Sequence, residues 1–161
     1  MKKTIALVLV LILILSGCGS DTPLLDTANF SFPMPEGYSL TDTDGLGCHI
    51  RRSSDSMTVG GMEVVPLTRK DLTRKSNEKI LEYLQSSVHQ TKDVEYIASN
   101  YNDRNFPVVA INMRVHRESG IANMYIHYFF ETDGLVYHLW LDTDMLGDGD
   151  PEDFLSCVTP N

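Results

Sequence analysis

The sequence predicts an α+β domain in which an antiparallel β-meander sheet is flanked by helices. The second half of the chain alternates apolar runs with two-residue turn signals, which is typical of antiparallel strands. An amphipathic helix over Ser76 to His89 and a short helix from Pro151 to about Val158 complete the pattern. The order strands, helix, four-stranded meander, helix predicts an α+β sandwich.

Three strand-like stretches precede the mid-chain helix. They lie around Phe30 and Phe32, from Leu46 to Arg52, and from Met57 to Leu67. Gly60-Gly61 inside the third indicates a bulge or a close backbone approach. Ser76 can cap the helix that follows, whose apolar face is formed by Ile80, Leu81, Leu84 and Val88.

Four further strands form the predicted meander: Val94 to Asn100, Phe106 to Arg117, Ile121 to Thr132, and Leu135 to Asp142. Asp133-Gly134 is a strong two-residue turn signal and places Tyr128 opposite Leu139. Ser119-Gly120, treated as a second turn of this kind, places Met113 opposite Ile126. Together the two registers predict one apolar core face, formed by Val109, Ile111, Met113, Val115, Met124, Ile126, Tyr128, Phe130, Tyr137, Leu139 and Leu141.

The opposite face of the meander is the candidate contact surface. Its most informative residues are Arg114, Tyr125, His127, His138 and Trp140. Arginine, tyrosine and tryptophan are the residues most enriched where proteins bind one another. Two interpretations stay open: another element of the chain covers this face, or a partner does. The two histidines lie diagonally within reach of a shared proton, but no third side chain has the spacing of a metal ligand, so no metal site is predicted.

The terminal helix has standard start signals, with Asp150 at its cap, Pro151 at its first position and acidic residues in its first turn. The acidic stretch before it resembles a calcium loop at Asp142, Asp144, Gly147, Asp148, Asp150 and Asp153. However, Leu146 occupies a position that normally supplies an oxygen ligand, and Pro151 stiffens the second half. We therefore expect no tight calcium binding and no cofactor.

The first residues predict export. Lys2 and Lys3 precede an unbroken apolar run of 11 residues, Ile5 to Leu15, which is too short to span a bilayer. Leu15-Ser16-Gly17-Cys18 follows and resembles the lipobox of bacterial lipoproteins. That resemblance implies cleavage before Cys18 and a lipid on its thiol. We expect residues 1–17 to be the signal peptide, 18–28 a lipidated tether, and 29–161 one domain on the extracytoplasmic face of the cell membrane, or at the outer membrane where the cell has one.

The net charge of the domain excludes one class of partner. The formal charge of −9 becomes −11 once Lys2 and Lys3 are removed. A domain this acidic repels phosphate backbones, so we expect no nucleic-acid partner.

Cys48 and Cys157 remain after Cys18 is lipidated, and outside the cytoplasm two thiols can pair. A disulfide between them is the favoured prediction, and two separately buried cysteines are the alternative.

The opening Phe30-x-Phe32-x-x-Pro35-x-Gly37-Tyr38, the mid-chain helix and the terminal helix with Phe154 resemble the PsbP-like superfamily. That resemblance implies a sandwich fold, no shared catalytic residues, and members that mostly bind or support other proteins. The sequence itself contains no nucleophile elbow, zinc-protease helix motif or phosphate-binding glycine loop. We therefore expect a non-enzymatic module that binds another extracytoplasmic protein, with a tethered small-ligand or ion-binding module as the alternative.

Overall fold

The structure is a computed structural model that describes residues 30–31, 33–41, 47–72, 77–88, 93–103, 106–116, 119–120, 122–132 and 134–160. The signal peptide, the lipidated Cys18 and the tether fall outside the described residues. The strands are β1 (Phe30–Ser31), β2 (Tyr38–Thr41), β3 (Gly47–Arg52), β4 (Thr58–Val65), β5 (Asp93–Asp103), β6 (Pro107–His116), β7 (Ala122–Thr132), β8 (Leu135–Asp142) and β9 (Thr159–Pro160). The α-helices are α1 (Glu78–Tyr83) and α2 (Pro151–Cys157).

Seven strands form one antiparallel sheet in the order β2-β3-β4-β8-β7-β6-β5. Two meanders, β2 to β4 and β5 to β8, therefore meet where β4 pairs with β8 at the centre. A separate short pair joins β1 to β9, so the first and last described segments lie side by side. The predicted antiparallel meander is confirmed.

The helices are shorter than the sequence predicts, and the domain is mostly sheet. α1 has six residues and continues as a wider π-helical turn over Leu84–Val88. The predicted helix ran from Ser76 to His89, and both of these end residues lie outside the described part of the chain. α2 has seven residues, and its Asp150 carboxylate accepts a hydrogen bond from the Glu152 amide at 2.9 Å, as expected of an N-cap. A helix this short is held by what it buries more than by its own propensity.

Each face of the sheet has its own core. The face under α2, called the α2 face, packs apolar side chains from the sheet and helix: Leu40, Ile50, Met62, Val108, Tyr128, Phe130, Leu139, Leu141, Phe154 and Leu155. The face under α1, called the α1 face, includes Val65, Leu72, Ile80, Leu84, Val109, Ile111, Met113, Phe129 and Val136. Both faces are therefore covered by this chain over the centre of the sheet.

One of the two predicted hairpin registers is confirmed and the other is wrong. Around Gly134, Tyr128 pairs with Leu139 as predicted. Between β6 and β7, however, His116 pairs with Ala122, so five residues separate the strands instead of two. The register therefore shifts by one residue, and Met113 faces Tyr125. Because neighbouring side chains on a strand point to opposite faces, this shift turns every side chain of β6 over relative to β7.

Candidate functional site

A chain of polar side chains crosses the α1 face, and we call Glu63, Tyr83, His127 and His138 the histidine cluster. Glu63 on β4 pairs across the sheet with His138 on β8, and His127 on β7 lies diagonally from His138. Tyr83 reaches the cluster from the last residue of α1. Three neighbouring strands and the helix thus each contribute one member.

Hydrogen bonds connect these residues end to end. The Tyr83 hydroxyl donates to Glu63 Oε1 at 2.9 Å, and the same oxygen lies 3.2 Å from His138 Nδ1. His138 Nε2 lies 2.9 Å from His127 Nδ1. An ionised carboxylate only accepts, so His138 donates from Nδ1, accepts at Nε2, and receives the Nδ1 proton of neutral His127. The carboxylate of Glu63 therefore fixes the tautomer of His138 directly and that of His127 through His138.

Aromatic rings enclose the two imidazoles. Phe129 stacks on His138 with ring centres 4.5 Å apart, and Tyr83 meets His138 edge-on at 5.7 Å. Tyr125 stacks on His127 at 6.1 Å and in turn contacts Trp140. Both histidines are 0% exposed, whereas Glu63 is about half exposed. The cluster thus has one end at the surface and the other in the interior.

Burial and hydrogen bonding set the protonation of the cluster. Burial lowers the pKa of His138, because a charged imidazole is poorly solvated inside the protein. The hydrogen bond from His138 lowers the pKa of Glu63, and burial raises the pKa of Tyr83. At neutral pH the cluster therefore holds an ionised Glu63 beside a neutral His138. Within the described part of the chain, no group of three or more histidine, cysteine or acidic side chains is arranged so that it could hold a metal ion.

The structure corrects the predicted contact surface. His127 and His138 are fully buried, and Tyr125 and Trp140 are only partly exposed. Arg114 lies on the opposite face, where it pairs with Met124 and forms an ion pair with Glu95 at 2.8 Å. The physical reason is the one-residue shift between β6 and β7 together with coverage of the histidines by α1. The five residues thus form no common exposed patch, although the proximity of the two histidines was predicted.

A second feature is an open groove of about 590 Å³ on the α2 side of the molecule. The turn before β2, the end of β3 and the loop between β8 and α2 form its walls. Tyr38 anchors it: the hydroxyl donates to the Leu146 carbonyl at 2.7 Å, and the ring meets Phe154 edge-on at 4.8 Å. Gly149 allows this contact, because a Cβ there would overlap the Tyr38 hydroxyl.

The groove is acidic. Glu36, Asp148 and Asp153 line it, and none of the three forms a side-chain hydrogen bond or ion pair with another described residue. Among the described residues that line the groove, Arg52 is the cationic one, and it is held by the Met145 carbonyl at 2.6 Å and by the Asp55 carboxylate. Sequence analysis missed this site, because its walls come from three distant segments. The available signal was the set of aspartates before α2, which was examined only as a calcium loop.

The calcium-like stretch directs its carboxylates to different partners. Asp142 is buried against the Asn123 side chain at 2.6 Å. Asp144 accepts from the Met124 amide at 2.8 Å, and Asp150 caps α2. These three carboxylates therefore do not surround a common point, and the absence of tight calcium binding stays a prediction.

The predicted disulfide is not present. No disulfide joins Cys48 to Cys157 in the structure. Cys48 is buried on β3 inside the core of the α2 face, and Cys157, at the end of α2, packs against the same core. Cys48 therefore serves as a small apolar group, as in the alternative interpretation, whereas Cys157 is only half-buried.

Comparisons with known proteins agree with the fold. No family model matches the chain, and no curated protein does. Within the described residues, no helix has the length and apolar character needed to cross a membrane. Among solved structures, the solution structure of cyanobacterial PsbP (CyanoP) from Synechocystis sp. PCC 6803 matches with a TM-score of 0.61 and 15% identity. The match covers 92% of this chain and 99% of the other, so the chain shares the PsbP fold that its sequence pattern resembles.

Proposed function

We propose that the protein is a lipid-anchored, non-enzymatic extracytoplasmic module whose groove binds a basic segment of another extracytoplasmic protein. The observation that carries this proposal is the groove itself, in which three carboxylates without a partner among the described residues line a cavity beside two aromatic rings. The lipobox-like sequence ending in Cys18 supports the anchor, and the PsbP-like resemblance supports binding over catalysis.

Charge indicates the chemistry of the ligand. Glu36, Asp148 and Asp153 leave the groove negative, because Asp55 already neutralises Arg52. A lysine or arginine of a partner would find carboxylates and the half-buried ring of Tyr38 close together. The remaining acidity of the domain, formally −11 after signal removal, would draw a basic partner from a distance. These features favour a cationic segment.

Crosslinking in intact cells tests the binding. A photoreactive residue at Ser54, which lines the groove, should capture a partner from cells producing the full chain. The variant Glu36→Lys/Asp148→Lys should reduce the captured amount at least about tenfold. The control Glu82→Lys/Asp93→Lys makes the same charge change at exposed positions that do not line the groove and should capture normally. Equal capture by both double variants would overturn the groove as the binding site.

The anchor is tested separately. Cys18→Ser should yield an unprocessed precursor that takes up no labelled fatty acid, whereas Cys48→Ser should be processed normally. Membrane retention and normal processing of the Cys18 variant would overturn the lipid anchor without affecting the groove.

The size of the groove supports a second candidate, a tethered module for a small cation, because a cavity of about 590 Å³ falls within the range of small-molecule sites. A saturable rise in melting temperature with spermidine or millimolar calcium would favour this candidate. We expect little rise with calcium, since the aspartates of the loop have separate partners.

A further inference from the structure

The histidine cluster has no part in the groove and needs an explanation of its own. It consists of two fully buried imidazoles, a half-exposed carboxylate and a tyrosine from α1, joined by three hydrogen bonds. Around the cluster, the α1 face packs aliphatic and aromatic side chains. The polar chain is therefore the part of this interface that can change charge near neutral pH.

The hydrogen-bond pattern limits how many protons the closed cluster can hold. The neutral pair has one proton between His127 Nδ1 and His138 Nε2, which lie 2.9 Å apart. A first added proton can sit on the far nitrogen of His127 without breaking this bond. A second added proton would place N–H against N–H at the same contact. Full protonation is therefore incompatible with the packed arrangement.

Few charges are available to stabilise a buried imidazolium. Glu63 on β4 faces His138 directly, and Tyr83 is the ionisable group that α1 contributes to the cluster. Asp142 on β8 and Tyr125 on β7 lie on the same face, and one carboxylate oxygen of Asp142, Oδ2, accepts from the Asn123 side chain. The exposed side chain of His49 on β3 lies beyond Gly61, while β6 presents Val109, Ile111 and Met113. Glu63 is therefore the carboxylate that contacts His138 directly.

We propose that the histidine cluster is an acid-sensitive latch, which holds α1 on the sheet while both imidazoles are neutral and releases α1 when they take up protons. Release would uncover the α1 face, including Phe129 and Val109. Tyr83 is the connection between the latch and the helix, because its hydroxyl bonds to Glu63 and its ring contacts both Phe129 and His138. The latch is independent of the groove and of the lipid anchor.

Hydrogen–deuterium exchange on the wild-type protein tests the latch. Protection factors of amides in residues 78–88, corrected for intrinsic exchange at each pH, are compared at pH 7.5 and pH 5.5. An opened site with ordinary imidazoles gains about tenfold in population per proton over this interval, and about 100-fold for two. We expect protection of α1 to fall by at least about tenfold, while protection of α2 amides stays constant. Unchanged α1 protection would overturn the latch.

Two variants separate titration from packing. His127→Phe/His138→Phe keeps rings in both positions, cannot titrate, and should make α1 protection independent of pH. Glu63→Gln keeps one acceptor oxygen, which His138 and Tyr83 can share as they share Oε1 of Glu63, but removes the charge, so the opening transition should move to higher pH. As a control, His116→Gln removes a histidine outside the cluster and should change neither the pH dependence of α1 protection nor the pH of the opening transition. If the double variant does not fold, the Glu63→Gln shift decides, and an unchanged transition pH in that variant would overturn the proposal.

Discussion

The two faces of the sheet are stabilised in different ways. The core of the α2 face is apolar, with Phe130, Leu139 and Phe154 packed among aliphatic side chains. The core of the α1 face buries Phe129 and Ile111 just as completely. It also encloses two histidines, one of which bonds to the half-exposed carboxylate of Glu63. The core of the α2 face is thus stabilised by apolar packing, whereas the core of the α1 face also depends on the protonation of its polar contacts.

The largest expected effect lies on the α2 face. Phe154 is 1% exposed and contacts Tyr38, so Phe154→Ala should lower the free energy of unfolding by about 3–5 kcal/mol. Urea titration monitored by circular dichroism measures this loss. It should be similar at pH 7.5 and pH 5.5, because no histidine or carboxylate lies in the described core of this face. Ser156→Ala on the exposed side of α2 is the control and should be nearly neutral.

A glycine substitution tests how tightly the α1 face is packed. A Cβ at Gly61 would lie 2.8 Å from both the Cys48 carbonyl and Trp140 Nε1, so Gly61→Ala should destabilise by about 1–3 kcal/mol. Gly134→Ala is the comparison: a Cβ there meets nothing within 4 Å, and only the positive φ of 81° costs about 1 kcal/mol. A smaller effect at Gly61 than at Gly134 would show that Trp140 moves aside freely.

Acid should weaken the domain through the α1 face. The pKa of His138 is lower in the folded state than its ordinary value near 6.5, so the unfolded state binds more protons below that pH. Stability should therefore be complete above about pH 6.5 and fall as pH decreases toward the folded-state pKa. The lowered pKa of Glu63 adds a second loss below its ordinary value of 4.5. Urea midpoints from pH 8 to pH 4 check this, and a flat profile down to pH 5 would contradict it.

Tyr83→Phe isolates the hydroxyl that links α1 to Glu63. The hydrogen bond is 2.9 Å long and half-exposed, so its loss should cost about 1 kcal/mol while the ring contacts with Phe129 and His138 remain. Chemical denaturation at pH 7.5 measures the difference. An effect above about 3 kcal/mol would mean that the ring packing had also changed.

The smallest expected effect is at Arg114, which was predicted to belong to the contact surface. Its ion pair with Glu95 joins two side chains that are 42% and 52% exposed. Arg114→Ala should therefore change the free energy of unfolding by no more than about 0.5 kcal/mol, and added salt should remove the difference. A larger change would indicate that Arg114 has a role beyond this exposed pair.

The sequence predicted correctly the strand pairing that a short turn determines. The Asp133-Gly134 turn leaves two residues between strands, and this fixes the pairing of β7 with β8 as observed. The loop around Ser119 was assigned the same length but is longer by three residues. Apolar residues occur at both parities of β6, as Val108 and Val109 illustrate, so hydrophobic patterning could not detect the error. Any strand buried on both faces has this ambiguity.

The candidate sites were harder to foresee than the fold. The diagonal approach of His127 and His138 followed from the correct β7–β8 register. Their burial did not, because it depends on where α1 lands, which strand patterns do not specify. The groove depends on the turn at Glu36 meeting the loop at Asp148, a contact between segments more than 100 residues apart. Local propensity contains no information about such a meeting.

The close packing of Trp140 over Gly61 gives the molecule a built-in optical probe. Trp140 is the only tryptophan in the chain, and its indole contacts Tyr125, which stacks on His127. All indole emission therefore originates one ring away from the buried imidazoles. A charged imidazole nearby or entry of water would change the intensity and colour of that emission. The state of the α1 face can thus be followed in the unlabelled protein, including protein attached to a membrane.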